Sequence, residues 1–292
     1  MQTCIGKECY VKLHRDSAST VDLVKEQVEI AEKEKSDRHF CICNLGDIIN
    51  KYQQWMRLMP RVKPFYVFML AVTVMIGEHF PRLYNKHVGT GMSFCMKLLD
   101  IGGGFPGQLN TYDTFHEITG VVNKSLQTYF PVDMGVEVIA EPGRYMVASA
   151  FTLGVQIIAK RTVPSTLSQH NKAECTNSAE TQDSIMYYVN DGVYGTFLSK
   201  LSVGRKYEAK SLKADEDAVI YESSIWGPSC DSVDFLVEST QLPSHEVGEW
   251  LYFPDMGAYT LSSITKFNGM EEPKQIYYCL ANTWYQVYKE EH

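Results

Sequence analysis

Met96-Lys97-Leu98-Leu99-Asp100-Ile101-Gly102-Gly103-Gly104-Phe105-Pro106-Gly107 carries an apolar strand pattern into a glycine-rich turn, and Val136-Glu137-Val138-Ile139-Ala140-Glu141-Pro142-Gly143-Arg144 repeats that design further on. Between them Phe115, Ile118, Val122 and Leu126 recur at helical spacing within Phe115–Tyr129. Parallel neighbours need a long crossover connection, so strand, helix and strand in this order predict a βαβ unit of a parallel sheet. Functional groups in such sheets and barrels gather beyond the C-terminal strand ends, where both turns fall. Consecutive glycines let backbone N–H groups approach an anion closely. Arg144 has the fork geometry that suits phosphate, and Glu141 can pair with a ring nitrogen. Taken singly, each feature is more often a plain turn or a surface ion pair.

Working outward, Phe40–Cys43 is a short apolar run feeding a helical pattern of Ile48, Ile49, Tyr52, Trp55, Met56 and Met59, which Pro60 ends before a strand at Val62–Tyr66. Residues 1–38 contain an amphipathic segment with Val21, Leu23, Val24, Val28 and Ile30, and are assigned to the β domain. From Phe151 the character turns to β-rich segments: FTLGVQIIAKRTV, IMYYVND, IYESSIWG, WLYFPDM and QIYYCLANTWYQVY. Residues 39–150 therefore form an α/β domain, which the family resemblance given below makes a barrel, and residues 151–292 a mainly antiparallel β domain. The apolar run Phe65–Gly77 is shorter than the roughly 20 residues of a membrane-spanning helix, and its charge-free part, Val67–Gly77, is expected to be a core element.

The chain has 292 residues, 45% of them hydrophobic, with 35 acidic against 27 basic side chains for a net charge of −8. Without a Lys/Arg-rich stripe, there is no electrostatic basis for binding nucleic acid or an anionic membrane. The opening residues match neither a signal nor a transit peptide, so a cytosolic location is expected. Eight cysteines lack CxxC or Cys/His ligand spacing, which points to reduced thiols and no metal site. In the β domain, Trp226–Asp231 sets a thiol, Cys230, beside an acid, Asp231; Asp255–Tyr259 offers a phenol beyond a strand; Asp191–Gly195 has the composition of a turn.

The segments Leu98–Gly107, Glu141–Tyr145, Tyr188–Gly195, Ser224–Asp231 and Met256–Thr260, in this order, closely resemble the eukaryotic ornithine decarboxylases and their antizyme-inhibitor relatives. The resemblance runs from about Gly91 to the C-terminus and resumes over His39–Tyr66. It implies a pyridoxal 5'-phosphate (PLP) enzyme with an alanine-racemase-like (β/α)8 barrel and a C-terminal β domain, acting in the cytoplasm on a small basic amino acid and forming homodimers with shared active sites. Carried over, Gly102, Gly103, Gly104, Arg144 and Tyr259 hold the cofactor phosphate, and Glu141 meets the pyridinium nitrogen. Cys230 is the proton donor and Asp231 the substrate-binding acid, both reaching a partner's site, with Tyr194 and Phe267 lining the interface.

The departures are specific. The lysine that anchors the cofactor covalently in the family is Met69 here, and Lys63 and Lys97 are not in its place. Val203 replaces an aspartate that binds the substrate's distal amine, and the central barrel units are missing, so an open sheet edge is expected. The chain is identified as an internally shortened ornithine decarboxylase homologue with impaired catalysis, able to pair with itself or a full-length homologue. The alternative is a non-catalytic, antizyme-binding regulator of polyamine synthesis.

Overall fold

The structure, a computed structural model, describes residues 2–4, 10–14, 18–65, 97–165, 182–213 and 217–288. Met69 and the Val67–Gly77 run lie outside them. The chain divides into two compact units, one formed by Gly46–Ala150 and the other by Met1–Leu45 with Phe151–His292. In chain order the elements are β1 (Gln2–Cys4), β2 (Tyr10–His14), α1 (Thr20–Glu34), β3 (Phe40–Asn44), α2 (Leu45–Leu58), β4 (Val62–Pro64), β5 (Leu98–Asp100), α3 (Tyr112–Tyr129), β6 (Glu137–Ala140), α4 (Gly143–Val147) and β7 (Phe151–Val163). These are followed by β8 (Ser184–Val189), α5 (Ser199–Val203), β9 (Lys210–Ser211), β10 (Ile220–Trp226), β11 (Phe235–Pro243), β12 (Trp250–Phe253), β13 (Lys274–Leu280) and α6 (Ala281–Val287).

The Gly46–Ala150 unit is built on a three-stranded sheet in the order β4-β6-β5. Both pairings are parallel, with Val62 opposite Val138 and Leu99 opposite Val138. The βαβ expectation is met by β5, α3 and β6. On one face Val62, Val138 and Leu99 are buried with Trp55 and Met59 of the α2 region and with Phe115, Val122 and Leu126 of α3. Trp55 anchors this core: it is fully buried, its Nε1 donates to Val62 O at 2.9 Å, and its ring lies 4.9 Å from Phe105 and 5.9 Å from Phe115. The residues of β4, β6 and β5 that alternate with this buried row include Lys63, Glu137, Leu98 and Asp100, all exposed. A period of two sends them to the opposite face. There the Lys63 ammonium pairs with Glu137 at 2.6 Å.

The other unit is a ten-stranded sheet with the main order β1-β2-β13-β3-β7-β8-β10-β11, and with β12 bridging β7 and β9. It is mainly antiparallel, but β8 runs parallel to β10, and β13 is parallel to both β2 and β3. A core of Leu153, Val155, Ile157, Tyr187, Val189, Ile225, Leu251 and Phe253 fills one side. Helix α1 covers Phe40, Ile42 and Trp250 with Leu23, Val24 and Ala31. It starts at a capping box in which Asp22 N–H donates to Ser19 Oγ at 3.2 Å and Ser19 N–H returns a bond to Asp22 Oδ2 at 3.0 Å.

Three sequence expectations need correction here. Strand β3, assigned to the barrel, is inserted between β13 and β7 of the large sheet, because Phe40–Cys43 is buried on both faces and finds backbone partners on both edges there. The last β segment is a strand only to Leu280, and Ala281–Val287 is helical. Strand β11, unmarked in the sequence because Glu238, Ser239 and Thr240 interrupt its apolar pattern, forms an antiparallel ladder with β10. Among the described residues Cys41, Cys43, Cys230 and Cys279 form no disulfide, and no helix is long and apolar enough to cross a membrane.

Candidate cofactor site

Strands β5 and β6 end side by side, so their two turns meet within the α/β unit. Ile101 N–H donates to Ile139 O at 2.9 Å, and Glu141 N–H then closes on Gly102 O at 2.7 Å. Gly102 and Gly104 hold φ of 69° and 85°, the left-handed region that glycine enters without a steric penalty. Gly103 presses against the neighbouring turn: a Cβ there would stand 2.5 Å from the Glu141 carbonyl oxygen, whereas one on Gly104 would meet nothing within 4 Å. The loop is therefore tight on its inner side and open on its outer side, the form of a cradle for a small anion.

Glu141 enters the same turn with a companion acid. Partial burial, followed by the charge of Asp100 and a hydrogen bond with it, holds the Glu141 carboxyl above its ordinary range. Asp100 also accepts from Gly102 N–H at 2.8 Å, so one carboxylate shapes the glycine loop and the acidity of Glu141. Arg144 lies in the first turn of α4, half-exposed. Next to it Tyr145 is buried, stacks on Phe115 with ring centroids 4.0 Å apart, and donates to Gln54 Oε1 at 2.9 Å. Burial raises its phenol pKa strongly, so this hydroxyl stays protonated and serves as an anchor for the turn.

Cys230, Asp231, Tyr194 and Phe267 come together in the β unit. Tyr194 donates to Asp231 Oδ2 at 2.5 Å, and its ring lies 4.4 Å from that of Phe267. The Tyr194 hydrogen bond first, and that from Val233 N–H second, lower the Asp231 pKa, keeping it a carboxylate. The bond to Asp231 raises the Tyr194 phenol in turn. Cys230 is exposed next to this pair. Tyr259 stands on a separate loop after β12, 40% exposed, with φ of 57°. Val203 is exposed at the end of α5.

Sequence reasoning missed the acids that hold these loops in place. Asp234, 1% exposed, accepts from Val193 N–H at 2.8 Å through Oδ1 and from Ser229 N–H at 2.9 Å through Oδ2, tying the Tyr194 loop to the Cys230 loop. Gly227 can be nothing larger, since a Cβ there would collide with the Asp234 carboxylate. Asp191 accepts from Gly192 N–H at 2.7 Å and Thr196 N–H at 3.1 Å, with His39 Nε2 3.6 Å away. The one available signal was the cluster of glycines in Asp191–Gly195 and at Gly227, since a buried carboxylate collecting backbone N–H groups needs bare backbone around it.

Residues 23–257 match the family model described as pyridoxal-dependent decarboxylase, C-terminal sheet domain. The chain is 48% identical over 245 residues to ornithine decarboxylase of Rattus norvegicus, covering 80% of this chain and 52% of the rat protein. It is 45% identical over 244 residues to antizyme inhibitor 2 of Xenopus laevis, covering 79% of this chain and 52% of that protein. The chain thus spans about half the length of the curated relatives it matches. Among solved structures, the Paramecium bursaria Chlorella virus arginine decarboxylase bound to agmatine superimposes with a TM-score of 0.66 at 18% identity over 87% of this chain and all of that one, 100%. Lysine decarboxylase from Selenomonas ruminantium does so with a TM-score of 0.65 at 17% identity, over 90% of this chain and 97% of that one. At those identities the likeness is one of fold: the alanine-racemase-like barrel and sheet domain of the pyridoxal-dependent decarboxylases, here in shortened form. With the family model spanning most of its length, this chain belongs to the pyridoxal-dependent decarboxylases, among the eukaryotic ornithine decarboxylases and antizyme inhibitors.

Proposed function

We propose that this chain is an ornithine decarboxylase homologue of polyamine biosynthesis that keeps the binding cradle for PLP and has lost most of the catalytic power. The observation that carries the reading is the cradle itself, in which Gly103 leaves no room for a Cβ against Glu141 while Gly104 opens outward. Gly103 and Gly104 would offer backbone N–H groups and Arg144 a guanidinium to the phosphate, with Gly102, whose N–H is taken by Asp100, shaping the loop; Tyr259 joins them on the family resemblance alone. Glu141, backed by the negative charge of Asp100, would keep a ring nitrogen protonated. When bound, PLP supplies an electron sink for the loss of CO2 from an amino acid. Cys230 and Asp231, exposed beside Phe267 and the half-buried Tyr194, suit a surface that completes a partner's site, Cys230 Sγ delivering a proton and Asp231 engaging a basic side chain. The partner would be a second copy or a full-length homologue, in the cytoplasm.

Met69 cannot bond covalently to the cofactor as lysine would, so PLP would be held by non-covalent contacts and decarboxylation of ornithine or a related basic amino acid would be severely weakened. Met69 and Val203 together also favour a second reading, a non-catalytic regulator that engages antizyme.

Titration of the purified chain with PLP, followed by equilibrium dialysis and by release of labelled CO2 from ornithine, tests the proposal. Reversible binding, weakened at least tenfold by Gly103→Ala, with no release above background, is the expected result. Borohydride-fixed cofactor on a lysine of this chain would overturn the non-covalent reading, and absence of any PLP uptake would overturn the cradle. Antizyme binding without PLP uptake would decide for the regulator.

A further inference from the structure

Arg205 sits just past α5, where Gly204 (φ 66°) turns the chain and Arg205 N–H donates to Ser199 O at 3.2 Å. Its guanidinium lies over the Tyr207 ring, 4.9 Å from the centroid, and donates from Nη1 to Ala258 O at 2.6 Å and from Nη2 to Asp255 O. Tyr207 is a rigid platform, 9% exposed, with its hydroxyl 2.5 Å from Ser199 Oγ and its ring edge-on to Phe197 at 4.8 Å. The two carbonyls that Arg205 grips belong to the loop carrying Tyr259. At its ends Asp255 and Tyr259 hold φ of 61° and 57°, conformations that residues with a Cβ keep only where the surroundings impose them. Two further bonds help, Met256 N–H to Phe151 O of β7 at 2.8 Å and Thr260 Oγ1 to Met256 O within the loop, and neither of them uses the Asp255 or Ala258 carbonyl that Arg205 grips. Met256 and Thr260 are each 1% exposed and Tyr259 is 40% exposed, so the loop is nailed down on one side and presents its phenol on the other.

We infer that Arg205 is a positioning residue whose guanidinium clamps the 255–259 loop by its two carbonyls and so sets the direction in which the Tyr259 phenol is offered. The role of Tyr259 toward a phosphate rests on the reading under Proposed function; the clamp rests on the geometry alone. Charge-assisted bonds to two acceptors from one planar fork restrict both distance and orientation, which a lysine ammonium does not reproduce.

The test uses the full chain with Arg205→Met, Arg205→Lys and Tyr259→Phe, read by hydrogen exchange of the 255–260 amides and by equilibrium dialysis of PLP. In Arg205→Met these amides are expected to exchange at least tenfold faster while the other amides of the unit keep their protection. PLP affinity should fall by a factor similar to that for Tyr259→Phe. The double variant should be no weaker than the worse single one, a non-additivity that a merely structural role would not produce. Arg205→Lys should lie in between. Unchanged exchange in Arg205→Met overturns the clamp, as does PLP binding that Tyr259→Phe weakens and Arg205→Met does not. If the unaltered chain takes up no PLP, the cofactor reading falls and exchange alone decides the clamp. If Arg205→Met lacks a cooperative thermal transition, Arg205→Lys decides, and wild-type exchange and affinity in that variant overturn the inference.

Discussion

Asp234→Ala is expected to be among the most damaging single changes to the β unit, and the magnitude follows from where its two acceptor bonds end. A hydrogen bond to a charged group contributes about 1.5–3 kcal/mol, and a buried donor left unpaired costs about 1–3 kcal/mol. The Val193 N–H, on a residue with no exposure, cannot turn to solvent, so its loss counts near the upper end. Ser229 is half-exposed and can take water, so its N–H counts for about 1 kcal/mol. Removing a buried carboxylate returns part of its desolvation cost. The net is about 3 kcal/mol, or roughly 6–12 °C in thermal midpoint for a unit of this size. Asp234→Asn keeps the volume and one acceptor but turns an N–H toward the other donor, and should cost about half as much. Asp231→Asn, on an exposed acid three positions away that accepts from the Tyr194 hydroxyl, should cost less than about 0.5 kcal/mol. Thermal transitions followed by near-ultraviolet circular dichroism, with hydrogen exchange of the Val193 amide as the local probe, compare the three. Equal shifts for Asp234→Ala and Asp231→Asn, or retained protection of the Val193 amide in Asp234→Ala, would refute the assignment. As an internal check, Gly227→Ala should destabilise the unaltered chain more than it does the Asp234→Ala chain, because the colliding carboxylate is then gone.

The other predictions concern pH and the α/β core. His39 and His245 are 5% and 1% exposed, and burial holds both below the ordinary imidazole pKa of 6.5. The unfolded chain therefore protonates them first, so stability is full above pH 6.5 and falls as pH drops through 6.5 toward the folded values. The slope is up to about 1.4 kcal/mol per pH unit for each histidine. Urea midpoints between pH 7.5 and 5.5 read this slope, and a profile equally steep in His39→Gln with His245→Gln would contradict it. Trp55→Ala removes a fully buried ring and its bond to Val62 O, and should cost about 3–5 kcal/mol in the Gly46–Ala150 unit. A loss under about 1 kcal/mol by denaturant titration would mean that the core cluster is not cooperative.

The amino-acid sequence by itself determined the strand-turn-helix-strand core of the α/β unit, because its signals are local. Leu98–Asp100 and Glu137–Ala140 are apolar segments closed by Gly and Pro, and α3 between them has helical periodicity, so register and turn chemistry agree before any long-range contact is made. The bounds of β7 were likewise legible at Phe151–Val163, where Phe151, Thr152, Val155, Ile157, Ile158, Thr162 and Val163 make the stretch rich in β-branched and aromatic residues. The fate of Phe40–Asn44 was not, since a strand buried on both faces has the same apolar composition in a barrel as in an antiparallel sheet, and only the backbone donors offered by β7 and β13 decide which. The same limit applies to the loops. Asp234, Asp191 and Arg205 are ordinary polar residues along the chain, and their importance arises because folding buries Asp234 and Asp191 and sets Asp234 and Arg205 against backbone groups from distant segments. Local sequence can specify a glycine turn, because its conformational freedom is a property of the residue. It cannot specify which carboxylate or guanidinium will hold that turn, because a buried polar group acquires its energy from partners that only the tertiary structure brings near.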